Sequence, residues 1–386
     1  MNVIAQHFFQ NDMERVYSVI DKSAELEHLH TFINVPASMG CTTQPKDDDL
    51  FFNQTWDICK TSGIIQLRNP LPLDILYKFP HNDGVGKIWD DHHRLFCNFI
   101  EKHKVSNVLE IGGGAGKLAK IYTDNNDSTW TLLEPNYDYE DSFKSSRISL
   151  KRIWFDDNYQ FDDKTDAVVH SHVFEHIYDP ISFLNTVRNK ITDNTIHFFS
   201  VPNLKKYLEY KYTNALCFEH SLFVSEEIID HMLKNVGFEI IEKHYYLDHS
   251  IFYSCKKTEP VSVQYPTYLY TQNKNLFLDF LEFYQRKIDY LNLHISKFNG
   301  KVFIFGAHIF SQFMLFNGLK TEKVQSILDN SKMKIDKRLY GTKFLVQHPS
   351  VLANETDFAV IVNAGAYTTE IKNDILKNVN NKAVFL

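Results

Sequence analysis

The sequence predicts an α/β fold built on a doubly wound sheet, and two stretches carry most of that prediction. The stretch 105–116 has the pattern of a buried parallel strand that ends in a glycine-rich loop. The stretch 130–136 has the pattern of a second strand ending at Glu134, twenty residues after Gly114. A doubly wound sheet places a carboxylate there to accept both hydroxyls of a ribose. We therefore expect a ligand that contains a nucleoside.

The spacing of the glycines indicates which nucleoside. A dinucleotide-binding loop needs a third glycine three residues after its second, but position 117 is Lys. In addition, Glu110 lies two residues before the first glycine. The pattern Glu-x-Gly-x-Gly-x-Gly resembles motif I of class I S-adenosylmethionine (SAM) methyltransferases. The resemblance implies a class I methyltransferase sheet that binds SAM as its cofactor.

The resemblance also implies which strand ends hold SAM. The segment 152–157 falls where class I enzymes hold the adenine, although its aromatic residues could equally belong to the core. The segment 166–172 is a buried-strand pattern with a polar end, and ligands of open α/β sheets bind at the carboxyl ends of strands. The expected cofactor-binding residues are Glu110, Gly112, Gly114, Gly116, Glu134, Phe155, Asp156 and Ser171.

Length and composition limit the classes of protein. A chain of 386 residues is long enough for two or three domains. The net charge is −7 and the basic residues are scattered, so neither a nucleic-acid nor a membrane partner is expected. The first residues lack the order of a signal peptide, and no apolar run approaches about 18 residues, which favours a cytoplasmic protein. Five widely spaced cysteines predict free thiols.

Helical and strand patterns divide the amino-terminal region. Apolar residues at helical spacing predict an amphipathic helix from about Asn11 to His30. An irregular segment is expected over 32–60, followed by a short strand at 63–67. A second helix is predicted over 88–103, leading into the central strand.

The carboxyl-terminal region repeats the α/β pattern. After a strand at 195–201 and a helix that begins after Ser225, we expect a linker over 259–271 and a long helix over 275–296. From 301 onward, alternating strands and helices predict a Rossmann-like domain. This domain lacks the second and third glycines of a dinucleotide loop, so no second cofactor is expected.

The order of these regions resembles that of the nucleotide-sugar C-methyltransferases. In that family two cysteine pairs of the amino-terminal domain hold zinc, whereas here Cys59 stands alone and Ser62 replaces its partner. No metal site is therefore expected. The family carries a Tyr-x-Glu-His-x-x-Tyr-Phe-Ser run before a helix, which Glu219 and His220 match. The two tyrosines of that run are not conserved in this sequence, since Cys217 and Leu222 occupy their positions.

The resemblance implies a site and three domains. The expected domains are an amino-terminal domain (1–104), a SAM-binding domain (105–258), and a linker, long helix and Rossmann-like domain (259–386). The expected catalytic residues are His220 as general base, supported by Glu219, with Tyr77 and His172 nearby; His81 could also donate a hydrogen bond. The residues expected to face a nucleotide-linked sugar at the strand ends of the last domain are His308, Ser311, Asp329, Asn363 and Tyr367.

The expected reaction is SAM-dependent methylation of a nucleotide-activated keto sugar at carbon. Methylation at oxygen or nitrogen of a sugar or another small polar metabolite is the first alternative. A non-catalytic SAM-fold binding protein is the second. Glu110, Glu134, the glycine loop and the Glu219–His220 pair favour an enzyme.

Overall fold

The computed structural model describes residues 14–77, 86–135 and 146–386, which form three sheets and one two-stranded ribbon. The strands are β1 (Leu26–Pro36), β2 (Cys41–Thr42), β3 (Phe51–Cys59), β4 (Ile65–Leu67), β5 (Asn107–Ile111), β6 (Thr129–Leu133), β7 (Ile148–Lys151), β8 (Ala167–Ser171), β9 (Ile196–Pro202), β10 (Leu222–Phe223), β11 (Phe238–Tyr246), β12 (Ser250–Lys257), β13 (Lys301–Phe305), β14 (Val324–Leu328), β15 (Arg338–Leu339), β16 (Val346–Gln347), β17 (Phe358–Val362) and β18 (Val384–Phe385). The α-helices are α1 (Leu73–Leu76), α2 (Lys87–Glu101), α3 (Lys117–Asn125), α4 (Pro180–Lys190), α5 (Leu204–Glu209), α6 (Glu226–Val236), α7 (Tyr268–Lys297), α8 (Ile309–Phe316) and α9 (Thr368–Asp374).

The largest sheet has seven strands in the order β7-β6-β5-β8-β9-β12-β11. Neighbouring strands run parallel from β7 to β9, whereas β12 is antiparallel to both β9 and β11. Successive residues of the central strands enter two different cores, because side chains alternate between the faces of a sheet. Val108 packs with α2 and α3, while Leu109 packs with α4 and α6. The doubly wound α/β sheet predicted from the sequence is therefore confirmed.

The amino-terminal region differs from its prediction. The part of the predicted helix that lies within the described residues contains no helix, and β1 occupies Leu26–Pro36. The segment expected to be irregular contains β3, which pairs antiparallel with β1 along most of its length. Cross-strand pairing buries the apolar side chains of both strands, and this gain overrides the helical spacing of single residues. The predicted short strand is confirmed as β4, and the predicted second helix as α2.

The amino-terminal sheet is joined to the other two sheets. Its strand order is β1-β3-β4-β10, so a segment that lies between β9 and β11 in the chain supplies its last strand. The ribbon pairs β2 with β15 of the carboxyl-terminal region. Asn273 of α7 donates a hydrogen bond to the carbonyl of Gly63 at 2.9 Å. A Cβ at Gly63 would lie 2.6 Å from the backbone of Leu269, so α7 packs directly against this turn.

The carboxyl-terminal sheet is the predicted Rossmann-like unit. Its five strands have the order β16-β14-β13-β17-β18, and every neighbouring pair is parallel. The long helix α7 begins seven residues before its predicted start. The strand predicted over 341–346 is reduced to β16, because Gly341 adopts a φ of 82° in a turn. None of the described helices combines the length and apolarity needed to cross a bilayer.

A pair of buried histidines makes the fold sensitive to acid. His170 of β8 and His197 of β9 are fully buried, and their Nε2 atoms lie 3.0 Å apart. Burial lowers the pKa of His197 to about 3 and also lowers that of His170 well below its usual value. Both rings are therefore neutral in the folded protein near neutral pH. One ring donates a hydrogen bond that the other accepts.

We expect the free energy of unfolding to fall as the pH drops below about 6.5. Below that pH the unfolded chain binds protons on these histidines, whereas the folded chain does not. Each such histidine therefore lowers the free energy of unfolding by about 1.4 kcal/mol per pH unit. Urea denaturation between pH 7 and pH 5 measures this slope. The variant His197→Asn should have a shallower slope, whereas an unchanged slope would show that this pair does not control acid stability.

Candidate active site

The glycine loop between β5 and α3 is held by close packing. At Gly113 an added Cβ would lie 2.0 Å from Leu132 Cδ1 and 2.7 Å from the carboxyl carbon of Glu110. At Gly112, which has a φ of 67°, it would lie 2.8 Å from Val173 Cγ2. The loop backbone therefore rests on β6 on one side and on the turn after β8 on the other.

Glu110 lies beneath this loop. Its side chain is 1% exposed and accepts a hydrogen bond from Trp130 Nε1 at 2.7 Å. Burial raises the pKa of Glu110 to about 8, and the negative charge of Glu134 contributes to the rise. These contacts give Glu110 a role in supporting Gly113. Its direct contact with a cofactor stays a prediction.

Glu134 faces the loop from the end of the neighbouring strand. It directly follows β6, is almost buried, and its Oε2 accepts a hydrogen bond from the backbone N–H of Gly114 at 2.9 Å. Gly114 and Gly116 have φ angles of 51° and 66°, values at which a side chain would strain the backbone. A carboxylate thus lies across from open loop backbone at the carboxyl ends of β5 and β6. This arrangement fits the ribose and methionine parts of SAM.

We expect the variant Glu134→Ala to bind SAM more weakly by about 1.5–3 kcal/mol, the range for hydrogen bonds to a charged group. Calorimetric titration of the full-length protein measures the change. The variant Glu134→Gln keeps the shape and should lose less affinity. A thermal unfolding curve checks that the loop still folds, and unchanged affinity in a folded Glu134→Ala protein would place SAM elsewhere.

The segment after β7 contains the residues expected near the adenine. The ring of Phe155 packs against those of Phe161 and Phe183, with centroid distances of 6.0 and 5.7 Å. The carboxylate of Asp156 accepts a hydrogen bond from the backbone N–H of Asn158 at 2.8 Å, which holds a local turn. The structure thus places both residues in the loop at the carboxyl end of β7. Their contact with adenine stays a prediction.

The end of β8 holds a histidine in a strained conformation. Ser171 ends the strand, and His172 follows with a φ of 53°, which residues other than glycine rarely adopt. His172 Nε2 lies 2.9 Å from Ser250 Oγ, and Nδ1 lies 3.3 Å from Glu175 Oε1. Burial and neighbouring imidazoles, including that of His220, lower the pKa of His172 to about 3. A neutral ring held in a strained backbone is typical of a functional site.

Glu175, His176 and His220 come together beside His172. Glu175 and His220 are 45 residues apart in the sequence. Nevertheless, one ligand atom from each of the three side chains lies within 4.8 Å of the other two. The ring centroids of His176 and His220 are 5.0 Å apart. Burial raises the pKa of Glu175 to about 7, and the nearby His220 opposes that rise.

Two groups of this cluster have unused hydrogen-bonding capacity within the described part of the chain. Neither carboxylate oxygen of Glu175 accepts a hydrogen bond from another described residue, although the side chain is 1% exposed. The buried Nδ1 of His220 has no such partner either. Buried polar atoms in folded proteins are normally paired. These atoms are therefore positioned for a ligand or a proton.

Arg15 positions the backbone beside His220. Its guanidinium donates to the carbonyl oxygens of Tyr178 (2.8 Å), Ser221 (3.1 Å) and Leu67 (3.2 Å). The pKa of Arg15 is lowered to about 10 by burial. One cation thus joins the turn after β8, strand β4 and the segment that carries His220. The amino-terminal sheet therefore forms part of the site.

Cys217, which replaces a family tyrosine, has a local structural role. It is buried, and its Sγ accepts a hydrogen bond from the backbone N–H of His220 at 3.4 Å. Burial raises the pKa of its thiol. Leu222, at the second tyrosine position, is fully buried in β10. Neither residue offers a hydroxyl to the site.

Glu219 and Tyr77 lie near Glu175 of this cluster. Burial is the largest cause that raises the pKa of Tyr77. The negative charges of Glu219 and Glu175 add to this rise. These three side chains therefore share one electrostatic environment. A small cavity of about 30 Å³, lined by Cys217, Glu219 and Gln312, lies between the amino-terminal sheet and α8. Because α8 belongs to the carboxyl-terminal domain, both domains line this cavity.

The residues predicted at the strand ends of the carboxyl-terminal domain approach the same region. Burial of the imidazole lowers the pKa of the half-buried His308 to about 4, and the charge of Glu219 opposes this shift. The pKa of Tyr207 is raised by burial, with smaller contributions from Glu175 and Tyr367. A Cβ at Gly365 would lie 3.2 Å from the ring of Tyr212. The last domain therefore packs against the segment that follows α5, which contains Tyr212.

Three other predicted residues of that domain make internal contacts. Ser311 donates a hydrogen bond to the carbonyl of Gly306, and Asp329 accepts one from the backbone N–H of Ala307 at 2.9 Å. Asn363 Oδ1 accepts a hydrogen bond from Lys287 Nζ at 2.7 Å. Their contact with a ligand, the catalytic roles and the domain boundaries stay predictions. His81 lies outside the described residues.

The two residues His176 and Asp179, which follow β8, have the sequence pattern of groups that cap or orient the next helix. Asp179 does so, because its Oδ1 accepts a hydrogen bond from the N–H of Ser182 at 2.9 Å. His176 instead faces His220, and Glu175 was not singled out. The only sequence signal for this pair was a Glu-His dipeptide just beyond a strand end.

Comparisons with known proteins agree with this geometry for the central region. Residues 85–243 match a protein-family model described as a methyltransferase domain. A comparison with curated proteins gives no significant match.

Several solved structures are similar to part of the chain. N,N-8-amino-8-demethyl-D-riboflavin dimethyltransferase from Streptomyces davawensis is 18% identical, with a TM-score of 0.36 over 44% of this chain and 56% of that chain. N-methyltransferase NodS from Bradyrhizobium japonicum is 12% identical, with a TM-score of 0.34 over 45% and 97%. A SAM-dependent methyltransferase from Aquifex aeolicus is 13% identical, with a TM-score of 0.36 over 44% and 95%. The chain thus spans only about half of the first of these proteins.

The family match and the strand order define the central region. Six strands of the central sheet share one direction, and β12, next to an edge strand, runs against them, as in class I methyltransferases. The matched region contains the glycine loop, Glu134 and the cluster around Glu175. SAM is the cofactor of this class of domain. Residues 85–243 therefore match a methyltransferase domain, their strand order is that of the class I fold, and SAM is the expected cofactor.

Proposed function

We propose that the protein methylates a nucleotide-linked keto sugar at the carbon next to the carbonyl, with His220 as the general base. The observation that supports this proposal is His220, whose ring lies beside the Glu175 carboxylate and whose buried Nδ1 has no hydrogen-bond partner among the described residues. SAM supplies an electrophilic methyl group on its sulfonium. The residues of the chain must align the acceptor and remove one proton.

The proton balance follows from the side chains of the cluster. His220 takes the proton next to the carbonyl, which leaves an enolate. The new carbon–carbon bond forms as the carbon–sulfur bond breaks, and sulfur keeps the electron pair. Glu175 stabilises the imidazolium that forms on His220. Tyr77 can donate a hydrogen bond to the enolate oxygen, in place of the tyrosines that Cys217 and Leu222 replace. Both nitrogens of the neutral His172 ring already face Ser250 and Glu175, so His172 positions Glu175.

Lysines of the carboxyl-terminal domain support a phosphate-bearing acceptor. Lys287 donates to Asn363, which directly follows β17, and Lys334 forms an ion pair with Asp329, which directly follows β14. Burial lowers the pKa of Lys287, and the charge of Lys372 contributes. Positive charges near the ends of parallel strands favour the diphosphate of a nucleotide sugar.

The test is turnover of defined acceptors. The full-length protein is incubated with SAM and nucleoside-diphosphate keto sugars, and mass spectrometry detects the added methyl group, which nuclear magnetic resonance then locates. Incubation in deuterated water with S-adenosylhomocysteine, which cannot donate a methyl group, should exchange the proton next to the carbonyl. Methylation only at oxygen or nitrogen would contradict carbon methylation. It would instead assign His220 the deprotonation of a hydroxyl or amine.

A further inference from the structure

Glu175, His176 and His220 have the composition of a metal site. One carboxylate and two imidazoles form a ligand set that binds Zn²⁺ and other divalent first-row metals in proteins. Their ligand atoms all lie within 4.8 Å of one another, and His176 Nε2 is 3.9 Å from Glu175 Oε1. Two ligand atoms that bind the same ion, each at about 2.0–2.2 Å, are less than about 4.4 Å apart. Small side-chain rotations would therefore suffice to bind an ion.

The carboxylate provides an independent reason to expect a cation. Glu175 is 1% exposed, and neither of its oxygens accepts a hydrogen bond from another described residue. Such an arrangement is costly unless a ligand or proton compensates the buried oxygens. His172 Nδ1 lies 3.3 Å from Oε1 and can orient the carboxylate, as partners of metal ligands commonly do.

The backbone holds the three ligands on well-packed elements. Glu175 and His176 belong to a short 3₁₀ turn (Phe174–His176) between β8 and α4, in which Phe174 is buried. His220 is two residues before β10, which pairs with β4 of the amino-terminal sheet. Two separate units of the fold thus supply the ligands.

We propose that Glu175, His176 and His220 bind one divalent transition-metal ion. Three protein ligands leave at least one coordination position for water or an acceptor oxygen. The consequence for catalysis rests on the proposed function. A ring nitrogen of His220 that binds a metal through its lone pair cannot also take a proton. The metal ion and the proton removed from the methyl acceptor therefore compete for the same ring.

The experiment measures binding and catalysis separately. Full-length protein without an affinity tag is freed of metal by chelation and titrated with Co²⁺, whose visible absorption reports the ligands, and with Zn²⁺ by calorimetry. Wild type should bind one ion, and Glu175→Gln, His176→Ala and His220→Ala should each weaken binding about tenfold or more. His28→Ala is the matched control, because His28 is exposed in the amino-terminal sheet. Thermal unfolding curves confirm that each variant folds.

The two readouts distinguish failure of the site from failure of the proposed function. No saturable binding, or equal binding by wild type and a folded Glu175→Gln protein, would overturn the site. Loss of binding in His28→Ala would move it to the amino-terminal sheet and also overturn the proposal. Zn²⁺ should suppress the deuterium exchange of the metal-free wild type. If metal binding requires the three residues, the site is supported. If the metal-free protein then exchanges no acceptor proton, the proposed role of His220 as the base is contradicted.

Discussion

Replacement of His220 by alanine is expected to abolish both methyl transfer and exchange of the acceptor proton. General-base catalysis contributes about 10²–10⁴-fold to a rate, so turnover should fall by at least that factor. The affinity for SAM should stay nearly unchanged, because the glycine loop and Glu134 lie at the ends of other strands. Product formation and deuterium exchange are measured on metal-free protein, and SAM binding is measured by calorimetry.

Two further variants sharpen this prediction. His28→Ala removes an exposed imidazole and should retain full turnover. Glu175→Gln keeps the size of the side chain but removes the charge that stabilises the protonated ring. Its turnover should therefore fall between those of wild type and His220→Ala. Full activity of a folded His220→Ala protein would show that another group removes the proton.

Replacement of Arg338 by alanine is expected to destabilise the protein by about 3–5 kcal/mol, because it leaves a buried carboxylate without its cation. Arg338 Nη2 donates to Asp49 Oδ1 at 2.8 Å, and Nη1 reaches the other carboxylate oxygen. The side chain of Asp49 is 0% exposed and also accepts a hydrogen bond from the N–H of Gly341 at 2.8 Å. This ion pair joins the amino-terminal region to the carboxyl-terminal domain.

Urea denaturation of the full chain measures the loss. The matched control is Arg286→Ala, because Arg286 pairs with Glu282 on the exposed surface of α7 and should change stability little. The double variant Asp49→Leu with Arg338→Met removes both charges and should recover much of the loss. If Arg338→Ala loses no more free energy of unfolding than the control, solvent or a rearranged backbone stabilises the charge of Asp49.

The methyltransferase domain was predictable because its signals are local. An apolar strand, a glycine loop and a helix follow one another within 105–125, and Glu134 ends the next strand at the expected distance. Each signal arises from sterics or periodicity within about twenty residues. The sequence patterns therefore predicted both the sheet and the residues that fit SAM.

The amino-terminal sheet was not predictable in the same way. Its central strand β3 pairs with β1 and β4, and its last strand β10 comes from residues more than 150 positions further along the chain. The apolar residues before β1 have helical spacing, but pairing with a distant segment determines their structure. Local periodicity contains no information about that partner.

The sequence by itself determined the class of the central sheet, the glycine loop after β5 and the candidate base His220. Only the tertiary structure decided which groups surround His220. It placed Glu175 and His176 beside the ring, and it brought Arg15 to the carbonyl of the neighbouring Ser221. The physical reason is that burial and the pairing of β10 with β4 bring together groups far apart in the chain. No pattern of neighbouring residues records such contacts.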